Sequence, residues 1–149
     1  MTEFLETTVD KFIFKVAVDR HYNGEGVWAK SEGELVRIGL SDFVQQHNGD
    51  VAFAEVKPIG TVITLGAEVA VTETIKVDIA FSSPLTGTIV EINQAMEEAP
   101  EVINQDPYGQ GWVALIKPTA WEVERSQLLD AQAYFERMKV EAEEETKKL

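Results

Sequence analysis

One amine and two carboxylates fall within the hexapeptide Glu73-Thr74-Ile75-Lys76-Val77-Asp78. The lysine sits where two apolar, β-branched runs meet, with Val71, Thr72, Thr74 and Ile75 before it and Val77 and Ile79 after it. Such runs read as strands. Residues 71–87 therefore read as strand, tight turn, strand, with Lys76 at the tip. An amine held out on stiff flanks is a nucleophile for an acyl donor. The turn and its neighbourhood are read as presenting Lys76 for a covalent prosthetic group, in a carrier rather than a catalyst. Glu73, Ile75, Val77 and Asp78 are the candidate recognition residues for a modifying enzyme, and the two carboxylates suit one with a basic surface. Lysine on an exposed turn is ordinarily only solvated, so the expectation rests on this neighbourhood rather than on the lysine alone.

Few other residues suggest chemistry. The chain has no cysteine, which excludes disulfides, thiolate metal sites and a cysteine nucleophile. Any thiol chemistry must then arrive on a cofactor. His21 and His47 lack metal-ligand spacing, and Ser82-Ser83 lacks the surroundings of an activated nucleophile. Gly24 and Gly26 are not followed by the Lys-Ser/Thr of a phosphate loop. With 26 acidic and 13 basic side chains, the formal charge is -13. That disfavours nucleic acid and anionic membranes as partners and favours basic protein surfaces. No run of about 18 apolar residues spans a membrane. The first residues lack the basic flank and apolar run of a secretory signal, so a cytoplasmic location is expected.

The elements that must position the tip emerge from pattern. At 149 residues and 44% hydrophobic, the chain fits one globular domain over 1–149. Strands are expected at 11–18, 27–30, 35–40, 51–56, 62–64, 68–71, 87–92 and 112–117, separated by glycine and proline turns. Ser41 is a suitable N-cap for a short helix through Gln46. Ser126 is expected to cap a helix to about residue 145, with an apolar stripe of Leu128, Ala131, Phe135, Met138 and Ala142. The charged tail 141–148 is expected to fray. The fold class is mainly β: a compact barrel-sandwich hybrid, core about 11–120, with short helices and a C-terminal helix.

From about residue 20 to residue 138 the chain resembles the lipoyl-carrier H protein of the glycine cleavage system. That family's lipoyl-lysine segment has Glu-Ser-Val-Lys, with a proline eight residues after the lysine and a glycine eleven after. Here Glu73-Thr74-Ile75-Lys76 is followed by Pro84 and Gly87. The family's Asp-Pro-Tyr-Gly-x-Gly-Trp matches 106–112, its Gly-Asp, proline and glycine match Gly49-Asp50, Pro58 and Gly60, and its Leu-Leu-Asp-Ala-x-Ala-Tyr matches Leu128 to Tyr134. The resemblance implies a lipoyl-domain-like fold and lipoic acid joined to Lys76 by a lipoate ligase or lipoyl transferase. It is less similar to biotin carriers, which flank the lysine with methionines. The lipoyl domains of 2-oxo acid dehydrogenases also differ, with aspartate where Ile75 stands.

One departure bears on cargo. The family has His-Glu-Trp near its N-terminus. Aligning that tryptophan with Trp28 puts Gly26 and Val27 in the other two places. In glycine cleavage the arm carries an aminomethyl group, whose cationic amine needs a carboxylate partner in a sheltered cleft. Val27 offers none, unless Glu25 substitutes. The sequence therefore favours a lipoate-binding carrier similar to those of heterodisulfide-reductase-like complexes in bacterial sulfur oxidation. The alternative is a glycine cleavage carrier serving glycine decarboxylase and aminomethyltransferase. Dihydrolipoyl dehydrogenase is a further partner the resemblance implies, and Asp106-Pro107-Tyr108-Gly109 is a candidate lining for the arm's resting cleft.

Overall fold

The structure, a computed structural model, describes residues 2–147. It opens with an antiparallel hairpin, β1 (Phe4–Val9) and β2 (Phe12–Ala17), which forms a sheet of its own. A six-stranded sheet comes next, in the order β3 (His21–Tyr22), β4 (Val27–Glu32), β5 (Leu35–Leu40), β11 (Ala114–Pro118), β10 (Gly87–Ile92), β7 (Val62–Ile63). A three-stranded sheet has β8 (Glu68–Thr74) between β6 (Val51–Val56) and β9 (Asp78–Ser82). The larger sheets share one apolar core. Val27, Ile38, Ile89 and Ile116 come from the first, and Val51, Val69, Ala70 and Phe81 from the second. Burying each of the larger of these side chains contributes about 1.5–3 kcal/mol. The fold is mainly β with short helices and a C-terminal helix, a sandwich in which no barrel closes.

A second core is aromatic. Phe14, Tyr22, Trp28, Phe43 and Tyr134 pack with Val9, Val16 and Met138 where β1–β2 meets the C-terminal helix. Tyr22 and Tyr134 stack with centroids 4.4 Å apart. The Trp28 indole N–H donates to the carbonyls of Leu40 and Pro107, each at 3.1 Å. The α1 helix (Asp42–Asn48) is capped as expected: Ser41 Oγ accepts from Val44 N at 3.2 Å.

Several expectations need correction. The strand expected at 11–18 is β2, and β1, which precedes it, has no counterpart among the expected strands. The helix α4 (Trp121–Glu124) has none either; it comes after the short helices α2 (Ala95–Glu98) and α3 (Val102–Gln105). The C-terminal helix α5 runs Ala131–Lys147, not 126–145. Ser126 lies in a 3-10 turn, where its hydroxyl donates to Val123 O at 2.6 Å. The start is set from far away: Leu129 exchanges backbone bonds with Tyr22 at 2.8 and 2.9 Å and must stay extended. Asp130 is then the residue whose carboxylate accepts from the first turn, from Ala133 N at 2.8 Å. Of the expected stripe, Ala131, Met138 and Ala142 are buried, with Tyr134 beside them, while Phe135 is half-buried and Leu128 precedes the helix. The charged tail stays helical through Lys147, and Lys148 lies outside the described residues.

Candidate functional site

The β8–β9 hairpin carries Lys76 at its end. Register pairs Val71 with Ala80, Thr72 with Ile79 and Glu73 with Asp78. Thr74 N then donates to Val77 O at 2.9 Å, leaving Ile75 and Lys76 as a two-residue tip. Two-residue tips usually draw on a left-handed residue, but neither Ile75 nor Lys76 has a positive φ. The Thr74 hydroxyl supplies the constraint instead. It accepts from Lys76 N at 3.3 Å and Val77 N at 3.2 Å, and donates to Val77 O at 3.1 Å. Thr74 is thus a site residue, where the pattern of the sequence marks it only as strand flank. A signal for it exists, because a threonine hydroxyl bonds backbone two and three residues on.

All five predicted site residues come together here. Lys76 is exposed and forms no ion pair with any described residue. Ile75 is 96% exposed and Val77 44%. Isolated water-facing apolar side chains are common; these two flank the amine on either side. Glu73 and Asp78 are exposed direct cross-strand partners. Like charges in that relation repel, and a cationic surface approaching the tip relieves the repulsion.

Lys76 also borders a groove of about 280 Å³ between β1–β2, α1 and the end of α5. Its walls include Phe12, Phe14 and Phe43, with His47 and Glu145 at the polar side. His47 Nδ1 donates to Glu145 at 2.7 Å. The Asp106–Gly109 turn does not border this groove. It lines two others, one of them beside Arg20, Trp28 and Arg37.

The positions that bear on cargo are elsewhere. Val27 is 1% exposed in the main core. Gly26 has φ +87°, and a Cβ there would lie 2.4 Å from Val44 Cγ2 and 2.8 Å from Tyr134 Oη. Glu25 accepts from Ser82 N at 3.1 Å. Ser82 ends β9, about 13 Å of strand from Asp78. Ser83 is buried and donates to Leu85 O at 2.6 Å, which is turn structure rather than a nucleophile. Among the described residues no cluster of histidine and carboxylates is arranged to hold a metal, and no helix is long and apolar enough to cross a membrane.

A lysine on such a tip, over a sandwich of this topology, has close counterparts. The glycine cleavage H-protein family matches residues 20–141. The chain belongs to that family. A glycine cleavage system H protein of Thermus thermophilus is 41% identical over 124 residues, 83% of this chain and 96% of that one. A probable glycine cleavage system H protein of Thermococcus kodakarensis is 36% identical over 124 residues, covering 83% and 92%. Among solved structures, the glycine cleavage system H protein of Mycobacterium marinum superposes with a TM-score of 0.73 at 29% identity, covering 80% of this chain and 96% of that one. Proteins of this family are non-catalytic carriers with a covalently attached lipoyl-lysine. The family's glycine eleven residues past the lysine has a physical reason here: a Cβ on Gly87 would lie 2.3 Å from Lys117 O, across the β10–β11 pairing.

Proposed function

We propose that Lys76 is the lipoyl attachment site and that the chain serves as the lipoyl carrier of a glycine cleavage system. The observation that carries this is the free Lys76 amine on a two-residue tip, flanked by exposed Ile75 and Val77 and by the Glu73–Asp78 pair. The residues present fit the group: the amine is accessible, unpaired with any described residue, and open to an apolar groove.

A lipoate ligase or lipoyl transferase would supply the activated acyl donor. Deprotonated Nζ attacks the acyl carbon, an amide N–C bond forms, the activating group leaves with the electron pair of the broken bond, and Nζ gives up one proton to solvent or to the enzyme. Glu73 and Asp78 would orient the enzyme's basic surface, and Ile75 and Val77 would be its apolar contacts. The lipoyl group, once bound, supplies a reversible dithiol for accepting and passing on a group. The protein holds the amine out, and tethering raises the dithiol's effective concentration at each partner's site. Glycine decarboxylase, aminomethyltransferase and dihydrolipoyl dehydrogenase are the partners on this reading.

The Thermus, Thermococcus and Mycobacterium relatives are glycine cleavage proteins, which favours that system over the sulfur-oxidation setting to which Gly26 and Val27 point. The second reading keeps one specific observation. Val27, in the place of the family's glutamate, is sealed in the core, and Glu25 is engaged with Ser82 N. A carrier for a heterodisulfide-reductase-like complex would need no carboxylate for an amine. Two experiments test the proposal. Intact mass after co-expression with lipoate ligase should show the lipoyl increment on the wild type and none on Lys76→Ala; a variant that still gains it defeats the site assignment. Incubation of the lipoylated protein with glycine decarboxylase and glycine should load the arm, and failure to load would favour the sulfur setting.

A further inference from the structure

Among the described residues, every strand at a sheet edge is blunted except β1. β3 and β7, which end the six-stranded sheet, have only two residues each. In the three-stranded sheet β6 is bulged between Val51 and Phe53. β9 is tied at its end, where Asn23 Nδ2 donates to Ser82 O at 3.0 Å and Glu25 accepts from Ser82 N at 3.1 Å. β2 is capped by side chains standing where a neighbouring strand would lie. Asp42 accepts from Lys15 N at 2.9 Å, and Tyr108 Oη donates to Lys15 O at 2.7 Å. Gln46 donates to Ile13 O at 2.9 Å and Tyr22 Oη to Ala17 O at 2.7 Å. Short edges, bulges and covers keep unpaired backbone from recruiting another strand.

Facing residues of an antiparallel pair either exchange both bonds or turn both backbone groups outward. Ile13, Lys15 and Ala17 turn theirs outward, so their partners Thr8, Glu6 and Phe4 do the same. No described residue bonds the backbone of those three, and their side chains are exposed. β1 runs six residues in unbroken register with β2, without proline or lysine. The family match, 20–141, leaves this hairpin out.

We infer that β1 is a docking edge for an extended basic segment of a partner protein, which adds beside it as a further strand. Charge selects the occupant. Residues 2–10 hold Glu3, Glu6 and Asp10 and no basic residue; the hairpin's cations, Lys11 and Lys15, lie at its tip and on β2. Lys15 faces Glu6 but directs its ammonium to the Phe4 ring, 5.8 Å from the centroid. No described residue forms an ion pair with Glu6. Its carboxylate is left at the open edge for an incoming cation. A second copy would bring another formal charge of -13 and is repelled, whereas a basic strand is attracted. In such strand addition the main-chain bonds give affinity and alternate side chains give selectivity. Cross-strand pairing calls for lysine or arginine opposite Glu6, with β-branched or aromatic residues opposite Phe4 and Thr8. The inference does not depend on what Lys76 carries.

The test uses the full chain and amide hydrogen exchange read by NMR. The probe is a short end-capped peptide alternating lysine with valine and threonine. Its control is the same peptide N-methylated at every backbone amide, which keeps the charge and side chains and removes the donors. With the probe at about ten times its Kd, the amides of Phe4, Glu6 and Thr8 should exchange about tenfold more slowly. The N-methylated control should leave them unchanged. Glu6→Pro removes one outward N–H, a change that edge strands tolerate, and should abolish the slowing at Phe4 and Thr8. Glu6→Lys keeps every backbone donor, so it reads the charge even where Glu6→Pro loosens the hairpin, and should raise the Kd of the probe several-fold. No slowing with the probe, equal slowing with probe and control, or an unchanged Kd in Glu6→Lys would overturn the inference. So would slowing in concentrated protein alone, which would assign the edge to a second copy.

Discussion

Two hairpins of this protein end in two-residue tips with a lysine second, and they are built for opposite ends. In β1–β2 the tip is Asp10-Lys11, closed by the Val9–Phe12 pair. In β8–β9 it is Ile75-Lys76, closed by Thr74 and Val77. The first turns through a left-handed residue, Asp10 at φ 58°, and its strands bury Val9, Phe14 and Val16 against the aromatic core. The second has no left-handed residue, is tied by a threonine hydroxyl, and leaves Ile75 almost wholly in water. The contrast teaches that a lysine on a hairpin tip is not by itself a site. The Lys11 tip also has exposed neighbours in Asp10, Phe12 and Ile13, so what sets the Lys76 tip apart is Ile75, 96% exposed, and the facing Glu73–Asp78 pair.

Stability should separate the hairpins most. Phe14→Ala removes a buried ring and should cost about 3–5 kcal/mol in denaturant unfolding. Ile75→Ala should stay within about 0.5 kcal/mol while lowering the rate of lipoylation. Equal costs would break the comparison. Next come the turns. Asp10→Val puts a β-branched residue at a left-handed φ and should lose about 1–2 kcal/mol, whereas Asp10→Gly should be nearly neutral. Thr74→Val removes the hydroxyl that ties the second tip, for about 1 kcal/mol, and should slow lipoylation, with Thr74→Ser restoring both. The smallest effect sharpens the electrostatic side. Glu73→Lys replaces the like-charge pair with an opposite one and should stabilise the hairpin by about 0.2–1 kcal/mol. If the carboxylates guide a modifying enzyme, the same change should slow modification, which a ligase kinetic assay reads directly.

The sequence is most informative where structure is local. The β8–β9 hairpin, the Ser41 cap and the strands of the main core arise from alternation, turn residues and capping within a few residues. It is least informative where one segment is set by another far away. β1 alternates only weakly, and becomes a strand by pairing with β2 and packing on α5. The start of α5 is fixed by the Tyr22–Leu129 pairing, which no pattern within 126–145 contains. The site divides the same way. Lys76 and its four neighbours are legible, while the groove beside them joins residues from 9 to 146 and is not.

The central claim is that this chain offers one lysine, and not simply any tip lysine, for lipoylation. Peptide mapping by tandem mass spectrometry after co-expression with lipoate ligase and lipoate tests it most directly, because Lys11 is the internal control. The account predicts the lipoyl increment on the peptide containing Lys76 and none on the peptide containing Lys11. Lipoyl on Lys11, or its absence from Lys76 in protein that carries the increment, would contradict it.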